Sequence, residues 1–170
     1  MRLNDKHMDN EMTKYKTLLA DPPWKIGIIS RHLRPKQLAM PYKTMNIEEI
    51  KKIPIQNFID ENECHLYLWA THKYLPLAFD VMKSWGFQYH CCITWDKTYG
   101  MTPYSFMFST EFLLYGQLIG KWKKLSIMGI KTLITEKPNE HSRKPHKSYE
   151  LIEKVSPEPR LELFAREFTP

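Results

Sequence analysis

A carboxylate followed by two prolines and a tryptophan, Asp21-Pro22-Pro23-Trp24, stands directly after a short apolar run. Two consecutive prolines cannot continue a strand ladder, so these residues must form a loop of fixed shape. The Asp21 carboxylate and a backbone carbonyl released from ladder pairing could accept both N–H groups of an amine attached to an aromatic ring. Such acceptors favour the pyramidal nitrogen whose lone pair can attack an electrophile. The pattern therefore suits methylation of an aromatic amine, with Trp24 able to stack on the ring.

The same four residues also have a purely structural interpretation. Asp-Pro-Pro is a common turn, and Trp24 could cap an apolar core. Open α/β sheets place their active sites beyond the carboxyl ends of their strands. The position of Asp21 after a predicted strand therefore favours the chemical interpretation.

Strands and helices are predicted to alternate along the chain. Alternating and apolar runs predict strands at residues 15–20, 64–70, 87–95, 110–115, 132–135 and 161–164. Helical spacing predicts helices at residues 47–52, 74–85 and 146–155, with Asn46 and Glu49 as a capping box for the first and Gly86 ending the second. The strand–helix–strand order at 64–95 indicates a βαβ crossover and a parallel sheet. We expect one α/β domain at 14–170 after a flexible lead-in at 1–13.

The size and composition of the chain fit one globular domain. It has 170 residues, of which 42% are hydrophobic, and this is enough for one core. No apolar stretch predicts a membrane span and no secretory signal is evident, so we expect a cytoplasmic protein. The three cysteines, Cys64, Cys91 and Cys92, lack metal-ligand spacing, and no metal site is expected. The formal charge of +6 favours an anionic partner such as nucleic acid, although many cytoplasmic enzymes are equally basic.

Seven segments, in order, resemble the MT-A70-type adenine-N6 methyltransferases. The resemblance runs from about Lys14 to Arg166, nearly the whole chain. The segments are Ala20-Asp21-Pro22-Pro23-Trp24, Pro41-Tyr42-Lys43-Thr44-Met45, Leu66-Tyr67-Leu68-Trp69-Ala70-Thr71, Trp85-Gly86-Phe87 with Ile93-Thr94-Trp95-Asp96-Lys97, Thr110-Glu111, His141-Ser142-Arg143-Lys144-Pro145, and Leu161-Glu162-Leu163-Phe164-Ala165-Arg166. The resemblance implies a single-domain Rossmann-like class I methyltransferase fold, with a mostly parallel central sheet flanked by helices. It also implies transfer of a methyl group from S-adenosylmethionine to the N6 amine of adenine by direct displacement, without a metal.

The resemblance further implies roles for individual residues. Asp21 and the Pro22 carbonyl, held by Pro23, would bind the target amine, and Asp21 would also approach the cofactor. The expected adenine-contacting side chains are Trp24, Tyr42, Trp95 and Glu111. The expected cofactor-binding side chains are Lys144, on the methionine carboxylate, and Glu162 and Arg166, on the ribose edge.

Several of these residues have structural alternatives. Trp95 could belong to the core, as is favoured for Trp69, and Glu111 could be a charge at the start of a strand. Lys144 could be a solvated residue ahead of a helix that begins near Pro145. A lone buried carboxylate such as Glu162 costs several kcal/mol unless it has a partner.

The nucleic acid is expected to be DNA, or alternatively RNA, because the chain carries no added RNA-binding module. An adenine in a duplex would have to be rotated out of the stack. Phosphates could be held by two basic clusters, which could equally be solvated loops: Arg31, Arg34, Lys36 and Lys43, and Lys121-Trp122-Lys123-Lys124.

A different function remains open. Relatives usually continue past the equivalent of Arg166 into a tail that contacts the cofactor ribose, whereas this sequence ends at Pro170. The chain could accordingly be a non-catalytic nucleic-acid-binding subunit of the same fold that supports an active methyltransferase partner. Independently of this choice, the chain could form a homo- or hetero-dimer. The intact Asp21-Pro22-Pro23-Trp24 favours the enzyme.

Overall fold

The computed structural model describes residues 13–25, 44–138 and 143–165. These ranges contain, in chain order, the strand β1 (Thr17–Ala20), the helix α1 (Ile47–Lys51), a 3-10 turn (Ile55–Asn57), β2 (His65–Ala70), α2 (Leu75–Ser84), β3 (Phe87–Tyr104), β4 (Phe106–Leu118), β5 (Leu133–Thr135), α3 (His146–Val155) and β6 (Arg160–Leu163). Most of the expected lead-in, the cluster Arg31, Arg34, Lys36 and Lys43, and the predicted site residues Tyr42 and Arg166 lie outside the described residues.

The six described strands form one sheet in the order β5-β3-β4-β2-β1-β6. β1 runs parallel to β2 and β6, and β3 runs parallel to β5, whereas β4 is antiparallel to both of its neighbours. The prediction of an α/β fold with a mostly parallel sheet is confirmed. β2 and β3 are nevertheless not adjacent, because β4 returns from β3 through Ser105 and pairs between them.

Local signals in the sequence explain the positions of the helices. Asn46 Oδ1 accepts the backbone N–H of Glu49 at 3.0 Å, and Glu49 Oε2 accepts the N–H of Asn46 at 2.7 Å, which confirms the capping box of α1. α2 ends just before Gly86, whose φ of +79° is readily adopted by glycine. Among the described helices, none is both long and apolar enough to cross a membrane.

The predicted strands at 87–95 and 110–115 are too short. In the structure they extend into a hairpin, β3–β4, whose outer part carries exposed side chains such as Tyr99, Met101 and Phe106. Because the side chains of this part are exposed, it lacks the alternation of buried and exposed residues on which the sequence prediction depends. Backbone pairing between the two strands forms it instead.

Both faces of the sheet are covered. Leu18 and Leu68 pack with α1 and α2 on one face, while Leu19 and Tyr67 pack with α3 on the other. Because strands buried on both faces carry apolar residues throughout, β1 and β2 have few polar positions before their ends. Polar chemistry is therefore confined to the ends of these strands.

Gly116 lies where β4 and β3 approach closely. A Cβ atom there would lie 2.4 Å from the Gln88 carbonyl oxygen and 2.6 Å from Met82 Cε. We expect Gly116→Ala to lower the free energy of unfolding by about 1–3 kcal/mol, because a backbone oxygen cannot move aside easily. Urea denaturation of both proteins measures the difference, and a loss below about 0.5 kcal/mol would contradict this packing.

Candidate active site

The candidate site lies at the edge of the sheet where the parallel strands end. β1 ends at Ala20, so Asp21 is the first residue beyond it. The antiparallel β4 brings Glu111 to the same edge, opposite Trp95 of β3. This is the edge at which open α/β sheets bind their ligands.

The 21–24 loop is held in one shape by backbone hydrogen bonds. The Pro22 carbonyl accepts the N–H of Trp24 at 2.8 Å, and the Pro23 carbonyl accepts the N–H of Met45 at 2.8 Å. The Pro22 carbonyl was expected to be released from ladder pairing, and it does lie beyond the strand, but it already carries one hydrogen bond. Since a carbonyl has two lone pairs, it can accept one further N–H.

Trp24 anchors the loop to the core. Its side chain is only 6% exposed, stacks on Tyr74 with ring centroids 5.2 Å apart, and donates its indole N–H to the Trp69 carbonyl at 3.2 Å. The Tyr74 hydroxyl in turn donates to the Lys25 carbonyl. Trp24 therefore supports the loop from below, and its stacking on a base stays a prediction.

Lys144 is buried between two carboxylates. Its Nζ lies 3.2 Å from Asp21 Oδ1 and 2.9 Å from Glu111 Oε2, and its side chain is 13% exposed. The ammonium also lies 4.9 Å from the centre of the Trp69 ring. Lys144 is therefore not a solvated residue ahead of α3, which was the alternative to a functional role. It joins two predicted site residues, Asp21 and Glu111, that are ninety positions apart in sequence.

Glu111 is held by a second lysine. Lys97 Nζ lies 3.2 Å from Glu111 Oε1 and 5.9 Å from the centre of the Trp95 ring. Lys97 ends one of the seven segments described above, but no role was predicted for it. The alternation of side chains along a strand could have indicated it, because Trp95 and Lys97 are two positions apart.

The ion pairs determine the charges at the site. Burial alone would raise the pKa of Glu111, but Lys144 and Lys97 outweigh this and hold the pKa below its usual value. Burial alone would likewise lower the pKa of Lys144, but Asp21 and Glu111 raise it overall. Glu111 and Lys144 are accordingly both ionised at neutral pH.

These shifts predict an acid-sensitive contribution to stability. Ionised Glu111 stabilises the fold above its ordinary pKa of 4.5, and this contribution is lost as the pH falls through the lowered value. We expect the melting temperature of the wild type to fall more steeply than that of Glu111→Gln between about pH 6 and pH 3. Calorimetry across this range tests the effect, and parallel curves for the two proteins would contradict it.

Glu162 has the partner that its position requires. It lies on β6 opposite Leu19, and its Oε1 accepts the Tyr149 hydroxyl of α3 at 3.1 Å. Burial raises the pKa of Glu162, nearby Asp21 adds to this, and the Tyr149 hydrogen bond opposes it. Tyr149 is a site residue that sequence reasoning missed, since helical spacing alone cannot show which strand a helix faces.

Trp95 belongs to the core in this structure. It is 2% exposed, donates its indole N–H to the Glu136 carbonyl at 2.8 Å and lies edge-on to Trp69. Its predicted contact with adenine stays a prediction. Among the described residues, no group of three His, Cys, Asp or Glu side chains could hold a metal ion.

Comparison with known proteins gives consistent matches along the chain. A family model described as MT-A70 matches residues 15–170. A rice protein named probable N(6)-adenosine-methyltransferase MT-A70-like is 29% identical over 163 residues, covering 90% of this chain and 21% of the rice protein. The type II methyltransferase M.MunI of Mycoplasma sp is 26% identical over 173 residues, which cover 90% of this chain and 72% of that protein. The human N(6)-adenosine-methyltransferase catalytic subunit METTL3 is 26% identical over 166 residues, which cover 90% of this chain and 26% of the human protein.

Proposed function

The chain belongs to the MT-A70 family, and from this premise we propose that it methylates the N6 amine of adenine in nucleic acid, with S-adenosylmethionine as methyl donor. The observation that carries the proposal is the position of Asp21, which lies at the end of β1, in a rigid loop, 3.2 Å from a buried ammonium. Because the chain spans only 21% of the rice relative and 26% of the human one, their activities are proposals for this chain.

The residues at this edge suit a cationic cofactor with polar ends. Asp21, Glu111 and Glu162 bring three carboxylates to the site, against the two ammonium groups of Lys144 and Lys97. The buried indole N–H of Trp69, beside Lys144, has no hydrogen-bond partner. When bound, S-adenosylmethionine would supply a methyl group on a positively charged sulfur. The predicted contacts of Lys144 and Glu162 with the cofactor belong to this proposal.

The loop residues would prepare the amine. The Asp21 carboxylate accepts one N–H of the target amine, and the remaining lone pair of the Pro22 carbonyl accepts the other. Both acceptors favour a pyramidal nitrogen, and they become more strongly bound as positive charge develops on it. The acidified proton leaves along the hydrogen bond to Asp21. Since the backbone bonds of Pro22 and Pro23 hold the loop beforehand, little ordering entropy is lost when the substrate binds.

Lys144 would position Asp21. Its ammonium fixes one carboxylate oxygen of Asp21 and is itself fixed by Glu111, which Lys97 holds from its other side. This chain of four alternating charges orients Asp21, and it does so without requiring Lys97 to contact the substrate. Lys97 is therefore a positioning residue in this proposal.

We propose DNA as the substrate, with RNA as the alternative. Among the relatives described above, the chain covers 72% of the type II methyltransferase, but only 21% and 26% of the two whose names specify adenosine, a ribonucleoside. The cytoplasmic location and a homo- or hetero-dimer remain proposals from the sequence. A non-catalytic subunit is disfavoured because Asp21 retains both its loop and its buried cation.

Methyl transfer to two matched substrates tests the proposal. Purified protein and S-adenosylmethionine are incubated with DNA or RNA of the same adenine-containing sequences, and the nucleosides are analysed by mass spectrometry. N6-methyldeoxyadenosine from DNA is expected. Product from RNA alone would overturn the choice of substrate, and no product from either nucleic acid, with the protein folded and binding S-adenosylmethionine, would favour the non-catalytic alternative.

A further inference from the structure

A cavity of about 320 Å³ lies on the face of the sheet that α3 covers. The side chains of Tyr67, Ile93 and Tyr115 form its floor, and residues 122–132, which connect β4 to β5, form its outer wall. Leu151 and Val155 of α3 also line it. The volume is at the lower end of the range of about 300–1,000 Å³ that is usual for ligand sites.

Aromatic rings line one side of this cavity. The His90 ring lies 6.0 Å from the Tyr115 ring and 6.3 Å from the Trp122 ring, measured between centroids. Trp122 is 58% exposed, so a large flat surface at the mouth remains available to a ligand. Planar aromatic ligands stack on such rings, and nucleobases do so whatever their sequence.

The cavity also contains a polar atom that a base edge could satisfy. His90 Nε2 is buried and has no hydrogen-bond partner. Burial lowers the pKa of His90, so the ring is neutral at pH 7 and Nε2 can donate or accept, depending on the tautomer. An unsatisfied buried nitrogen is uncommon in folded proteins, which suggests a site for a polar ligand atom.

Positive charge surrounds the mouth. Lys123, Lys124 and Lys131 line the cavity, and no Asp or Glu does so among the described residues. Lys123 pairs with Glu63 at 3.3 Å, and its backbone exchanges two hydrogen bonds with the Gln117 side chain, at 2.7 and 2.8 Å. The wall is thereby fixed to β4, while Lys124 and Lys131 are exposed at the rim.

We propose that this cavity binds a nucleobase together with its adjacent phosphate, contributed by a single strand of the nucleic-acid substrate. The base would lie against Trp122 and the His90 edge, and the phosphate would lie near Lys124 and Lys131. An uncharged apolar occupant would leave both the lysines and His90 Nε2 without a role. This inference rests on the proposed function for the source of the strand.

Helix α3 connects this cavity to the candidate active site. Lys144 stands just before α3 and Val155 is its last residue, so the ten residues of the helix place the far end of the cavity about 15 Å from Lys144. That length corresponds to roughly two to four nucleotides of a strand. The cavity would therefore hold a nucleotide that flanks the adenine to be methylated.

Photo-crosslinking of the full chain tests the contact directly. A single-stranded oligonucleotide with one adenine and a 5-iodouracil placed two to four positions away is irradiated with the protein, and the linked peptide is sequenced by mass spectrometry. We expect the link at Trp122, His90 or Tyr115. Links confined to peptides outside 90–132 would overturn the proposal.

Binding of the same oligonucleotide tests the energetic contribution. We expect Trp122→Ala to raise its Kd about tenfold and Trp122→Phe to raise it less than about threefold, because phenylalanine retains a ring for stacking. The double variant Lys124→Ala/Lys131→Ala should release about one to two fewer ions on binding, measured as a shallower slope of log Kd against the logarithm of the salt concentration. The matched control is Lys83→Ala, an exposed lysine on α2 at the other face of the sheet, which should change neither. Equal Kd values for Trp122→Ala and the wild type would overturn the proposal.

Two further arms separate the sources of the ligand and the two proposals. Free nucleoside monophosphate and an oligonucleotide without iodouracil are each added as competitors of the crosslinking. If the monophosphate competes as effectively as the oligonucleotide does, the substrate strand is not the ligand of the cavity and the proposal falls. Crosslinking to Trp122 without methyl transfer would refute the proposed function and leave this inference intact. Methyl transfer with links only elsewhere would refute this inference and leave the proposed function intact.

Discussion

Asp21→Asn is expected to lower the rate of methyl transfer to adenine by about a hundredfold to a thousandfold. The amide keeps the size of the carboxylate, but it loses the negative charge that binds the amine as positive charge develops. The Pro22 carbonyl remains as the second acceptor, so the geometry of the loop should survive. Initial rates with saturating S-adenosylmethionine and nucleic acid measure the effect.

The control for this variant is Asp80→Asn, an exposed aspartate on α2. It should retain the wild-type rate, and Asp21→Asn should retain the circular dichroism spectrum of the wild type. If Asp21→Asn is as active as Asp80→Asn, Asp21 does not bind the reacting amine, whatever the family of the protein.

Lys144→Met is expected to destabilise the fold by about 3 kcal/mol. Methionine fills a similar volume, but it leaves the Asp21 and Glu111 carboxylates close together without the ammonium that lies between them. For a chain of this size the melting temperature should fall by about 6–12 °C. Differential scanning calorimetry at neutral pH measures the shift.

A double variant separates charge from packing. Adding Glu111→Gln to Lys144→Met removes one of the uncompensated carboxylates, so stability should recover in part. Lys154→Met, on an exposed position of α3, provides the matched control and should change the melting temperature little. A loss for Lys144→Met no larger than that for Lys154→Met would show that the buried ion pairs do not stabilise the fold.

The elements of the fold could be predicted where burial follows the periodicity of the backbone. α3 occupies the predicted residues 146–155, and the cap of α1 at Asn46 follows from short-range hydrogen bonding. The insertion of β4 between β2 and β3 could not be predicted, because the order of strands depends on pairing between distant residues. The outer hairpin of β3 and β4 escaped prediction because its side chains are exposed.

The candidate site shows the same limit. The resemblance singled out Asp21, Glu111, Lys144 and Glu162, and the structure brings these residues to one edge of the sheet. It also shows Lys144 bound to two carboxylates of the chain itself, whereas the sequence suggested only a contact with the cofactor. Lys97 and Tyr149 were missed because their roles depend on which side chains face them from other strands.

Transfer of a labelled methyl group tests the central claim most directly. The protein is incubated with adenine-containing DNA or RNA and S-adenosylmethionine whose methyl group carries deuterium, and the digested nucleosides are weighed by mass spectrometry. Deuterated methyl is expected on N6 of adenine with the wild type, and almost none is expected with Asp21→Asn. A label on any other atom of the nucleic acid, or equal labelling of N6 by both proteins, would contradict this expectation.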